Sequence, residues 1–226
     1  MSGFGVIFDM DGVLVDSYRA HYESWRDTAA SFGLRMSEEE FRSTFGRLSR
    51  EIITRLWPGR FTEEQIVAFD ARKEEAYREG LRRHFPEKDG ASDLIGMLHD
   101  AGFRMAIGSS GPAENVELAR QCLCNSRHIA ATVSGREVRN GKPDPEVFLT
   151  AAGKMMLASR QCAVIEDAPV GVEAARRAGM TAIAITGTAS RESLLRDAHL
   201  VVDSLRELDP EVIRELIVTS RPASEA

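Results

Sequence analysis

Short apolar runs alternate with helix-forming segments along most of this sequence, a pattern that an open parallel sheet covered by helices on both faces satisfies. The first run is Phe4 to Phe8, nearly continuous, and it stops abruptly at Asp9. Further runs are Phe103 to Gly108, the weaker Ile129 to Val133, Cys162 to Ile165, Thr181 to Thr186 and His199 to Val202. Strands buried on both faces read as continuous rather than alternating runs. Between them, Asp93 to Ala101, Ala113 to Cys122, Glu146 to Gly153, Val170 to Gly179 and Arg191 to Ala198 have the length and propensity of crossover helices. Gly102, Gly153 and Gly179 stand where helices stop. The expected fold is therefore α/β, a doubly wound parallel sheet of Rossmann-like character.

Residues 17–86 break the rhythm. They hold no convincing strand and at least three helical patterns. Tyr18, Tyr22, Trp25, Ala29 and Phe32 recur at helical spacing before Gly33; Ser37 with Glu40 and Thr62 with Gln65 fit capping boxes; Trp57-Pro58-Gly59 is a break. A segment this long is no loop. The expected organisation is an α/β domain made of residues 1–16 and 87–226, with a small α-helical domain, 17–86, inserted as a lid. The tail after Ser220 is expected to fray.

Composition narrows the function. Lys plus Arg total 29 and Asp plus Glu 35, a net charge of -6, which offers no basic field to nucleic acid. No run approaches a membrane span, and the N-terminus lacks the pattern of a signal peptide. Cys122, Cys124 and Cys162 are an odd count without paired metal-ligand spacing, as a reducing compartment allows, so the expected location is the cytoplasm.

In open parallel sheets ligands bind beyond the carboxyl ends of the strands. The first strand is followed by Asp9, Asp11 and Gly12, the second by Ser109, Ser110 and Gly111, and the CAVI strand by Glu166 and Asp167. Taken singly these are ordinary turn and N-cap residues. Together, four carboxylates on one sheet edge repel one another unless something positive holds them. All-oxygen ligation points to Mg2+, with waters and substrate phosphate completing its shell. Lys142, in Gly141-Lys142-Pro143-Asp144-Pro145, precedes a helix, where a cation opposes the helix dipole; compensating carboxylates and a phosphate is a reason to stand there.

Four stretches then carry a family resemblance. Phe8-Asp9-Met10-Asp11-Gly12-Val13-Leu14-Val15-Asp16-Ser17 resembles the first motif of the haloacid dehalogenase-like phosphotransferases. Ser109 resembles the second motif, Lys142 in Gly-Lys-Pro-Asp-Pro the third, and Ile165-Glu166-Asp167-Ala168-Pro169-Val170-Gly171 the fourth. The helical insert is similar to the small cap of the beta-phosphoglucomutase and phosphatase branch. The resemblance implies Asp9 as nucleophile forming an aspartyl-phosphate and Asp11 as general acid and base. It implies Mg2+ held by Asp9, the Asp11 backbone carbonyl and Asp167, with Glu166 nearby, and phosphoryl oxygens held by Ser109, Ser110 and Lys142.

The same resemblance makes His21, Gly46, Arg47, Arg50 and Lys73 the candidate substrate-binding residues of the cap. Lys73 lies on the apolar stripe of its helix, seven residues after Ile66 and four before Tyr77. The run Gly46-Arg47-Leu48-Ser49-Arg50 is one residue longer than the mutase loop, and Gly111 and Asp89-Gly90 depart from the family pattern. The expected activity is hydrolysis of a small phosphorylated metabolite by a Mg2+-dependent phosphatase. A beta-phosphoglucomutase-type mutase is the alternative, with a silent binding module and a dehalogenase behind it. A monomer without nucleic-acid or membrane partners is expected.

Overall fold

The computed structural model describes residues 3–44 and 49–220. Each apolar run becomes a strand: β1 (Gly5–Phe8), β2 (Arg104–Gly108), β3 (Ile129–Val133), β4 (Cys162–Glu166), β5 (Thr181–Ile185) and β6 (Leu200–Val202). They form one sheet in the order β3-β2-β1-β4-β5-β6, every neighbouring pair parallel. All residues of β1, β4 and β5 are buried, which explains their uninterrupted apolar sequence. β3 lies at the sheet edge with partly exposed residues, hence the weaker run Ile129-Ala130-Ala131-Thr132-Val133.

The helices of this unit are α5 (Ala91–Asp100), α6 (Ala113–Cys122), α7 (Glu146–Lys154), α8 (Pro169–Arg177), α9 (Arg191–Leu194) and α10 (Pro210–Thr219). Phe148, Ala151 and Val172, from α7 and α8, close over Ile7, Ala106 and Val164 of the sheet, and α5 and α10 pack on β2 and β4. Two helices differ from the sequence expectation. α9 covers only the first half of Arg191 to Ala198, and α10 lies beyond the expected crossover helices, where Asp209 caps it, Pro210 opens it, and Ile213 and Ile217 bury at helical spacing.

The chain divides into two compact units, Met1–Asp16 with Pro86–Ala226, and Ser17–Phe85. Pro86 thus stands with the sheet: its carbonyl accepts the Asp16 amide (2.8 Å), and the Leu14 carbonyl accepts the Lys88 amide (2.9 Å). The helical unit holds α1 (Tyr18–Ser31), α2 (Glu38–Thr44), α3 (Ser49–Leu56) and α4 (Glu63–Arg83). Both capping boxes form, at Ser37 with Glu40 and at Thr62 with Gln65. Trp25, Phe32, Trp57 and Phe61 surround the fully buried Phe69, with ring centroids 5.1–5.6 Å from it. Among the described residues no helix is long and apolar enough to cross a membrane.

Candidate active site

The strand order reverses direction between β1 and β4, so a crevice opens at their carboxyl ends. The parallel register sets Phe8 beside Ile165, and the Asp9 amide donates to the Ile165 carbonyl at 2.9 Å. Asp9 and Glu166 therefore leave the sheet side by side. Both are buried, at 7% and 2% exposure. The Lys142 ammonium joins them: its Nζ donates to Asp9 Oδ1 and, at 2.6 Å, to Glu166 Oε1. Lys142 is also held over the Phe148 ring, 4.9 Å from its centroid.

Glu166 Oε2 accepts the amides of Asp167 and Ala168, both at 2.8 Å, at the start of α8. Its two oxygens are thus committed to Lys142 and the backbone. Glu166, expected beside the metal, lies next to Asp9 and anchors the lysine. Gly171 makes room for it, since a Cβ there would lie 1.7 Å from Glu166 Oε1. Gly12 does the same for Asp167. At φ 83° it turns the chain in the left-handed region, and a Cβ would lie 1.8 Å from Asp167 Oδ2. That oxygen accepts the Thr188 hydroxyl.

Ser109, buried behind β2, donates its amide to the Val133 carbonyl (3.0 Å), and its hydroxyl oxygen accepts the Gly111 amide (3.0 Å). Ser110 is exposed. A Cβ on Gly135 would come within 2.3 Å of the Ser110 carbonyl oxygen, so the β3 end closes tightly on this loop.

Burial pushes the Asp9 carboxyl up from 3.8 to about 7, with Lys142 opposing and Glu166 and Asp11 adding to the rise. Burial, then Glu166 and Asp9, hold Asp167 well above the usual carboxylate range. Burial alone would lower the Lys142 ammonium, but Asp9 and Glu166 outweigh it and keep the group charged. Three buried carboxylates thus share one buried ammonium, and the surplus of negative charge fits a divalent cation. Among the described residues no three His, Cys, Asp or Glu side chains form a metal cage. Two carboxylates, Asp9 and Asp167, are nonetheless the kind of sparse donor set that suits magnesium, which keeps waters and takes substrate oxygens.

This arrangement carries a pH expectation. Because the folded Asp9 binds its proton up to about 7 and the unfolded one only to 3.8, the folded state holds more protons across that window. Stability without metal then falls as pH rises through it. Melting in EDTA is expected at a lower temperature at pH 8 than at pH 5, with the gap narrowed by Mg2+ and by Asp9→Asn; an equal gap in all three conditions would refute the assignment.

In the helical unit, the His21 ring stacks on Tyr77 (4.1 Å, 4°). Lys73 is buried, donates to Glu74 at 2.7 Å and stands 5.7 Å from the Trp25 ring centroid. Arg50 pairs with Glu63 where both side chains are more than half exposed. Gly46 and Arg47 lie outside the described residues. The structure adds Thr188 to the residues at the carboxyl ends of the strands. It follows β5 by three positions, and the rule that located Asp9 and Asp167, applied to that strand, reaches it.

Comparison with known proteins gives the same picture. A family model described as haloacid dehalogenase-like hydrolase matches residues 6–185. Hexitol phosphatase A of Escherichia coli is 32% identical over 207 residues, 90% of this chain and 92% of its own. Beta-phosphoglucomutase of Bacillus subtilis is 29% identical over 218 residues, 93% of each chain. The crystal structure of a family IA, variant 3 hydrolase from Entamoeba histolytica superposes with a TM-score of 0.84 at 26% identity, covering 96% of this chain and all of that one. With four-fifths of its length matched by one family model, the chain belongs to the haloacid dehalogenase-like hydrolases.

Proposed function

We propose that this enzyme is a magnesium-dependent phosphatase that hydrolyses a small phosphorylated metabolite, a sugar or polyol phosphate, through an aspartyl-phosphate on Asp9. The observation that carries the reading is the buried Lys142 ammonium bridging Asp9 and Glu166 at the crevice between β1 and β4. It leaves Asp9 Oδ2 without a hydrogen bond from the described residues. The names of the phosphatase and mutase relatives support phosphate-ester chemistry on carbohydrates.

Asp9 Oδ2 attacks phosphorus and the bond from phosphorus to the ester oxygen breaks, splitting one difficult transfer into two easier ones. Asp11 gives its proton to the leaving oxygen, then takes one from the water that attacks the aspartyl-phosphate, releasing phosphate and regenerating Asp9. Lys142, Ser109 and Ser110 hold phosphoryl oxygens, so charge developing there meets fixed donors. Asp9, the Asp11 carbonyl and Asp167 would hold magnesium, which would neutralise the phosphate charge. His21, Arg50 and Lys73, with Gly46 and Arg47, are the substrate-binding residues this reading assigns to the helical unit. The free cysteines fit a cytoplasmic setting; burial pushes the Cys162 thiol up to about 12, so it stays protonated.

A panel of sugar and polyol phosphates, including beta-glucose 1-phosphate, assayed for both inorganic phosphate and glucose 6-phosphate with Mg2+ tests the reading. Phosphate release that EDTA abolishes and excess magnesium restores is expected. Fast formation of glucose 6-phosphate with little free phosphate would replace the phosphatase by a mutase. Neither product would replace it by a binding role.

A further inference from the structure

We propose that Thr188 positions Asp167 for the cation and so sets magnesium affinity, an assignment that rests on the magnesium reading above. Thr188 lies in the loop between β5 and α9, which is tied down at both ends. On one side the Thr186 hydroxyl donates to Asp203 Oδ1 at 2.8 Å. On the other, Ser190 caps α9 by accepting the Ser193 amide, and Arg191 donates to the Val201 carbonyl at 3.0 Å and pairs with Asp203 at 2.9 Å. Between them Gly187, at φ 139°, turns the chain through a conformation that side chains rarely adopt.

The turn delivers the Thr188 hydroxyl to Asp167 Oδ2. The Gly12 turn also closes on this oxygen: a Cβ there would lie 1.8 Å from Asp167 Oδ2 and 3.1 Å from Thr188 Oγ1. One oxygen of a buried carboxylate is therefore met by a hydroxyl donor and packed closely by a glycine backbone. The hydroxyl holds Oδ2 without adding a positive charge, and Oδ1 is the oxygen left to meet a cation. Lys142 treats Glu166 differently, neutralising it. Two adjacent acidic residues are thus given opposite tasks by their partners. Partners that orient metal ligands in this way typically govern affinity by 10–100-fold.

The test is calorimetric titration of MgCl2 alone into the metal-free full chain, without substrate, for wild type, Thr188→Val and Thr188→Ser. Thr188→Val is expected to bind magnesium about tenfold more weakly or worse. Thr188→Ser, which keeps the hydroxyl, is expected to bind as wild type does. Thr188→Ser is expected to melt in EDTA as wild type does, since the hydroxyl to the buried Asp167 is kept. Thr188→Ala replaces Thr188→Val should the latter fold poorly. Equal affinity in wild type and the variants without the hydroxyl would overturn the positioning role while leaving the magnesium reading intact. A wild type that binds no magnesium would overturn both.

Discussion

Asp9→Asn is expected to lower turnover by at least about 10⁴-fold while leaving the fold in place. The substitution changes one oxygen for a nitrogen of similar size at a strand end, and Asn can still accept from Lys142, so packing around β1 is kept. What disappears is the carboxylate proposed to attack phosphorus. Phosphate release measured beside circular dichroism separates the two effects. Turnover within tenfold of wild type in a folded variant would remove Asp9 from the role of nucleophile.

Lys142→Met is expected to cost both activity and stability. The ammonium is the positive group that Asp9 and Glu166 share, with side-chain exposures of 8%, 10% and 3% for the three residues. Removing one partner of a buried charge set leaves the others uncompensated, an effect of about 3–5 kcal/mol. A fall in turnover of about 10²–10³ is expected from losing the donor to the transferring phosphoryl group. Urea unfolding reads the first and phosphate release the second. Adding Glu166→Gln to Lys142→Met removes one of the stranded charges, so the double variant is expected to be more stable than the single one. A double variant that is less stable would show that Lys142 acts through packing rather than charge.

The sheet is legible in the sequence because strands buried on both faces have no polar positions to blur them, and β3 is faint where its edge position admits partly exposed residues. α10 escapes a reading that follows only strand-to-strand crossovers, since no strand follows it in the described chain. The gathering of Asp9, Lys142 and Glu166 is legible because a parallel sheet sends every carboxyl end to the same edge. Which carboxylate the lysine takes is not, because that depends on side-chain reach across loops far apart in sequence. The same holds for Arg50, whose partner Glu63 comes from the start of another helix. Thr188 is invisible to a search for charge, as its hydroxyl matters only through the carboxylate it touches.

The two strands of chain that lead into and out of the helical unit run antiparallel and are stitched together by the Asp16–Pro86 and Leu14–Lys88 backbone bonds, with Val15 bridged to Glu87. The sheet unit therefore sees the whole of Ser17–Phe85 as one excursion that departs and returns at a single point. Closing such an excursion costs entropy that grows only with the logarithm of its length. Lengthening it, shortening it or exchanging it for another fold leaves the neighbouring strands undisturbed. Evolution is thus free to rebuild the inserted unit while the strand ends of the sheet stay as they are.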